Sequence, residues 1–420
     1  MHLSIEKRIH KTKTSFQRLP QKLEAIRHLA RSYVSREEAA PLGVHVIGGL
    51  GDHLITARFL KDFLAQEGVV NFDIYSRRTA LAEWLFADLP GCRQIVPASY
   101  DLKWTQARHA LHLSAIGYLT VDHANPRKLL RHDLYPLRRL NEALTANTHQ
   151  LRRFVQAQPQ LDGYLGHYVA TKGFTRHNFL HHLANIAYRG DSMSLPADDE
   201  ILKIHGLFNR PYVTVSNGYD ETTPLKPGQS VTKVYPFHAE VIARLKAAYP
   251  ALTVVQLGSP LSSSPINAAD LSLIGQTTLS QAAAILQRAQ FHIDNEGGLV
   301  HLARAMGTRC CVVFGPTLST YFGYSDNLNI QPRQCGGCWW MEGRWMTQCV
   351  RGDSQPTCMY SQAPQDVLNH IETYFSEELK PLREPEVIRN QRTPVSATAR
   401  AGRTGTIRFT AAMARTSHEL

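Results

Sequence analysis

The stretch Ile293-Asp294-Asn295-Glu296-Gly297-Gly298-Leu299-Val300-His301-Leu302-Ala303, running on to Phe314-Gly315-Pro316-Thr317, decides the fold. A short β-branched run ends in polar residues and two glycines, and apolar residues at helical spacing follow at once. A strand that delivers Glu296 and a Gly297-Gly298 turn to a helix N-terminus offers backbone N–H groups to an anion and a carboxylate to a hydroxylated ligand. His301, one turn into that helix, either joins this ligand-facing set or is spent in the core. Just upstream, Leu273-Ile274-Gly275-Gln276-Thr277-Thr278-Leu279 adds another glycine turn ahead of a helix.

Outward from this stretch the same rhythm repeats. Strands are expected over 212–216, 253–257, 291–294 and 310–314, with helices over 239–248, 279–288 and 299–306. Nearer the start, strands over 44–47 and 72–75 alternate with helices over 54–66 and 79–87. Such alternation is the mark of βαβ units on parallel sheets. The fold class expected is α/β, with two Rossmann-like domains facing a cleft. The acceptor domain spans 42–192 and the donor-binding domain 210–330, joined by a linker over 193–209 with Pro196, Asp198, Asp199 and Glu200. A cysteine-rich module at 331–362 and a terminal helix at 363–382 follow.

A chain of 420 residues has the length for two such cores, and its apolar fraction of 43% is that of a globular protein. No apolar run approaches the roughly 18 residues that cross a bilayer. The first residues carry Glu6, Lys7 and Arg8 in place of a secretory apolar core, so a cytoplasmic location is expected. The net charge of +11 sits at the ends: residues 1–41 hold nine Lys/Arg against four Asp/Glu, and 383–420 hold seven against three. The body is close to neutral, which argues against a nucleic-acid face. The basic ends, a helical extension at 1–41 with Leu23, Ile26, Leu29, Ala30 and Tyr33 on one side and a disordered tail at 383–420, suit either solubility or a peripheral contact with the inner face of the inner membrane.

Three further constellations carry chemistry. Ile47-Gly48-Gly49-Leu50-Gly51-Asp52-His53 lies between a strand and a helix, where glycines let the backbone approach a ligand and Asp52 either caps the helix or acts on substrate. Ser216-Asn217-Gly218 and Lys233-Val234-Tyr235-Pro236 put polar turns and a cation where a diphosphate would need them. Cys335, Cys338, Cys349 and Cys358 open with CxxC and fall within 24 residues, a pattern that matches a tetrahedral structural metal knuckle for zinc or a single iron. Trp339, Trp340 and Trp345 are at hand to cover it. Seven cysteines, an odd number, argue against a disulfide framework.

The order G-D, K-x-[WY]-P, L-x-G-x-T-x-L, an acidic residue before G-x-x-H-L-A-x-A-x-G, and F-G-P-T resembles the family 9 heptosyltransferases over about residues 44–330. That resemblance implies a GT-B fold and inverting transfer of heptose from ADP-heptose, with no metal needed for catalysis. By position it implies Asp52 as general base at the acceptor hydroxyl and Lys233 at the donor phosphates. Ser216, Asn217, Gly275, Gly297, Gly298 and His301 would surround the donor, with Glu296 on its sugar. Two departures stand out: the family usually has Asp where a gapless alignment places Glu296, leaving Asp294 two residues early, and Tyr235 stands where Trp is commoner. The four-cysteine segment resembles that of the branch that modifies autotransporter proteins, where an iron site serves assembly. The acceptor is then a glycan, as in lipopolysaccharide biosynthesis, or a serine of an exported protein, as in protein glycosylation, and a homo-oligomer is in prospect. Two rival readings are a GT-B isomerase of the nucleotide-sugar 2-epimerase kind, which needs no acceptor, and a non-catalytic scaffold that binds a partner through its cysteines.

Overall fold

The computed structural model describes residues 40–221, 225, 229 and 231–382. The amphipathic helix read over 23–33 and the basic tail lie outside these residues, as does the membrane contact expected of them. Five strands form the first sheet, β1 (Leu42–Val46), β2 (Phe72–Ser76), β3 (Cys92–Pro97), β4 (Leu111–Ala115) and β5 (Leu119–Ala124), in the order β3-β2-β1-β4-β5. All pairs are parallel except β4 with β5. The second sheet holds β6 (Tyr212–Val215), β7 (Thr253–Gln256), β8 (Leu271–Ser272), β9 (His292–Asn295), β10 (Cys310–Val313) and β11 (Leu328–Ile330). Its order is β11-β10-β9-β6-β7-β8, with every pair parallel.

The expected strands and helices form within a few residues of where the sequence places them. β2, β6, β9 and β10 are buried along their whole length, as strands covered on both faces must be. The sequence reading passed over β4 and β5 because polar residues interrupt them. His112 of β4 is buried and lies 3.1 Å from both Asp101 and Asp122. Those ion pairs replace the apolar layer that would have marked the strand.

Strand order positions the site. In the first sheet the chain steps from β1 to β2 on one side and reaches β4 on the other, and in the second β6 lies between β9 and β7. Each is a point where the connections diverge, leaving a crevice at the carboxyl ends of the strands. Helix α1 (Leu50–Glu67) starts from the crevice of the first sheet, and α3 (Gly298–Ala305) from that of the second. Helix α2 (Asp162–Thr171) belongs to the helical run after β5.

The two N-termini of α1 and α3 abut. A Cβ on Gly298 would lie 3.1 Å from the Leu50 Cβ, and one on Gly51 would come within 2.4 Å of the His301 ring, so only glycine fits at position 51. One apolar cluster runs through this contact, joining Leu54, Phe59 and Phe63 to Val300, Leu302 and Phe314. The stretch read as a linker is packed as well: Ile201, Leu202 and Leu207 are buried, and the Met193 amide donates to the Ala305 carbonyl at 2.8 Å. A second cluster covers the other face of the second sheet, where Phe291 stacks on Phe375. Among the described residues no helix is long and apolar enough to cross a membrane.

Candidate active site

A cavity of about 970 Å³ opens between the halves. That is the upper end of the roughly 300–1,000 Å³ of small-molecule sites. Three walls enclose it.

The first wall rises from the end of β1. Gly48 has φ +112°, and a Cβ there would lie 1.9 Å from an Asp52 oxygen, so the turn needs glycine twice over. Asp52 Oδ2 accepts the Gly49 amide at 2.9 Å, the helix-cap bond foreseen for it. Its other oxygen, Oδ1, is held by Arg176, a residue that no motif flagged. Arg176 is buried and donates also to the Ile116 carbonyl at 3.2 Å and the Tyr321 hydroxyl at 3.3 Å. Burial disfavours the guanidinium charge, but Asp52 and Tyr321 more than offset this and hold it above the ordinary arginine range. Both carboxylate oxygens of Asp52 are therefore engaged.

The second wall is the donor side expected from the sequence. Ser216, Lys233, Gly275, Glu296, Gly297, Gly298 and His301 all line the cavity. Lys233 Nζ lies 2.9 Å from Glu296 Oε2, and both residues are 8% exposed, a desolvated pair rather than two free groups. Asp294 also borders the cavity but sits within β9, 3.3 Å from His292 Nε2, and burial pushes its carboxyl up to about 6. Of the two acidic residues left open by the alignment, Glu296 is the one at the strand end beside the lysine. His301 shares a 2.8 Å hydrogen bond with the Tyr324 hydroxyl, and burial lowers it to about 3, so the ring is neutral at physiological pH. Asn217 departs from expectation. Its amide donates to the Ser264 carbonyl at 2.9 Å and its oxygen accepts the Ser264 amide at 3.3 Å, which pins the 256–264 loop and leaves the side chain off the cavity wall. Tyr235 keeps the packing role of an aromatic there, buried with its hydroxyl on the Gln362 carbonyl at 2.8 Å.

The third wall was not foreseen. Trp339, Trp340, Arg344, Trp345 and Thr347, all from the cysteine-rich segment, line the cavity. The segment is tied to both halves: His167 of α2 meets the Gly337 carbonyl at 3.1 Å, while Thr232, beside Lys233, donates to the Trp345 and Met346 carbonyls. Trp339 packs edge-on to Phe322, and a Cβ on Gly163 would strike the Trp339 carbonyl at 1.8 Å. The tryptophans face the cavity wall rather than serving only to cover the cysteines. Of those cysteines, Cys335 is exposed, Cys338 and Cys349 are half-buried and Cys358 is buried. Burial, with the neighbouring cysteines adding to it, pushes the Cys338 thiol up to about 11 and the Cys358 thiol up to about 12. The four share one neighbourhood. They are not closed into a shell, however, for among the described residues no three His, Cys, Asp or Glu stand close enough together to hold a metal ion.

Residues 261–339 match the family model of glycosyltransferase family 9 (heptosyltransferase). No curated protein matches the chain in sequence. Among solved structures, the dodecameric iron-containing heptosyltransferase TibC in complex with ADP-D-beta-D-heptose matches at 14% identity and a TM-score of 0.53, covering 81% of this chain and 77% of that one. TibC from enterotoxigenic E. coli H10407 matches at 16% identity, a TM-score of 0.52 and the same coverage. The E. coli ADP-heptose lps heptosyltransferase II matches at 13% identity and a TM-score of 0.48, covering 80% of this chain and 99% of that one. At such identities the TibC matches speak for the fold, two parallel-sheet domains of the GT-B-like kind, and the matched segment supports a glycosyltransferase.

Proposed function

We propose that the protein is an inverting glycosyltransferase that moves a sugar, heptose from ADP-heptose, to a hydroxyl of a bacterial glycan or exported protein. The observation that carries this reading is the opposition of charges in one cavity: the Asp52–Arg176 pair on one wall, and Lys233 with the N-terminus of α3 on the other. An attacking hydroxyl must lose a proton as the nucleotide diphosphate leaves with negative charge, so a carboxylate is needed on one side and cationic or N–H groups on the other. Asp52 takes the acceptor proton. Lys233 and the Gly297-Gly298 amides hold the diphosphate, and Glu296 accepts hydrogen bonds from the sugar hydroxyls. ADP-heptose is the donor bound by TibC, the neighbour that also motivates an oligomer for this chain.

ADP release from ADP-heptose, followed with and without a co-expressed acceptor, tests the reading. Release together with a heptose increment in the acceptor mass is expected. Release without any acceptor and with an altered free sugar would instead establish the isomerase reading, and absence of both release and ADP binding would leave only the scaffold.

The four cysteines fit a metal in donor type and neighbourhood, each thiol within electrostatic reach of the others. A zinc or iron there would cross-link the third wall and take no part in proton or sugar transfer. Elemental analysis of purified protein is expected to find about one zinc or iron per chain, and Cys358→Ser to lose it together with solubility or assembly. Because Trp339, Trp340 and Trp345 border the cavity, that variant should weaken turnover as well. Metal-free protein that folds and assembles normally removes the site from the account.

A further inference from the structure

Asp162 opens α2 and borders the same cavity as Asp52, yet the reaction as described gives it no task. It is 8% exposed, and its Oδ1 has no hydrogen-bond partner. The charged and titratable groups that face it are Arg176, Asp52 and Tyr118, with Tyr321 beyond the guanidinium, and Gln158 hydrogen-bonds to it. Burial pushes its carboxyl up to about 6, with Asp52 adding to the rise and Arg176 and Gln158 opposing it.

Asp52 has the reverse problem. With one oxygen on the Gly49 amide and the other on a buried guanidinium, its charged form is favoured and its appetite for a proton weakened. Arg176 cannot easily turn away, because its own amide donates to the Tyr321 carbonyl at 2.8 Å and its guanidinium holds Ile116 and Tyr321. A second negative charge near Arg176 offsets the cation's field at Asp52 and repels the Asp52 charge directly.

We propose that Asp162, in its ionised form, is a positioning residue for sugar transfer: by sharing the charge of Arg176 it raises the proton affinity of Asp52. This rests on the transfer reading and on Asp52 as the base. In the step, the acceptor O–H gives its proton to Asp52 and the freed oxygen bonds to the anomeric carbon. The bond from that carbon to the phosphate oxygen breaks, and its electron pair leaves on the nucleotide diphosphate. Asp162 stays ionised throughout and exchanges no proton in the step.

The test is the pH dependence of ADP release from ADP-heptose in wild type and Asp162→Asn, with ADP binding measured by calorimetry. Wild-type kcat is expected to fall as the pH drops through about 6, where Asp162 takes up its proton. Asp162→Asn should bind ADP normally, run about tenfold slower above neutrality, a like charge some 7 Å away being worth about one pKa unit or more at an effective dielectric of about 20, and lack the limb near 6. Should the amide variant fail to bind ADP, Asp162→Ser, which keeps a hydrogen-bonding side chain at the helix start, reads the same limb. A variant profile that overlays the wild type, or a uniform loss that keeps the limb, overturns the proposal. A wild type that releases no ADP under any condition overturns the transfer reading and this proposal with it.

Discussion

Asp52→Asn is expected to lower kcat for sugar transfer by about 10²- to 10⁴-fold, the usual contribution of a positioned general base, while ADP affinity stays near wild type. The amide is the right probe because of what surrounds it. Asparagine keeps the size of the side chain and an oxygen for the Gly49 amide, but it cannot take a proton. Alanine would also strand the buried Arg176 cation, and breaking a buried pair on one side typically costs about 3–5 kcal/mol of stability, so lost activity there would report folding. Single-turnover measurement of sugar transfer, with ADP binding followed in parallel, checks the expectation. Unchanged turnover in the asparagine variant would reduce Asp52 to the cap of α1.

Lys233→Met is expected to weaken ADP binding by about 10- to 100-fold, in line with about 1.5–3 kcal/mol for a hydrogen bond to a charged group. Methionine fills the space of the lysine stem, but Glu296 then lies 8% exposed without its cation, so part of the loss comes from repulsion of the diphosphate by that carboxylate. Glu296→Gln separates the two effects. It should leave the affinity for bare ADP near wild type or improve it, while reducing the preference for the sugar-bearing donor, because a neutral amide makes weaker hydrogen bonds to hydroxyls. Calorimetry with ADP and with ADP-heptose reads both numbers. If Glu296→Gln binds and turns over donor normally while Asp294→Asn does not, the sugar contact belongs to Asp294 and the lysine pair is structural.

By itself the sequence determined the elements that rest on neighbours in the chain. The βαβ rhythm, the starts of α1 and α3, and the delivery of Ser216, Lys233, Gly275, Glu296 and His301 to strand ends follow from hydrophobic spacing and from glycines beside the residues they serve. The polar strand β4 escaped such reading because His112 finds its partners, Asp101 and Asp122, outside its own strand. Asn217 was misread for the same reason, since its side chain is spent on Ser264, 47 residues away. The chemistry of the acceptor side was decided by tertiary structure alone. Arg176 reaches Asp52 across 124 residues, Asp162 comes to the same cavity from the start of another helix, and the tryptophans of the cysteine segment become a wall because Thr232 and His167 tie that segment to both halves. An ion pair between groups so distant in sequence leaves no periodicity to read. It forms because burial makes an unpaired charge costly, and only the packed chain fixes which opposite charge is within reach.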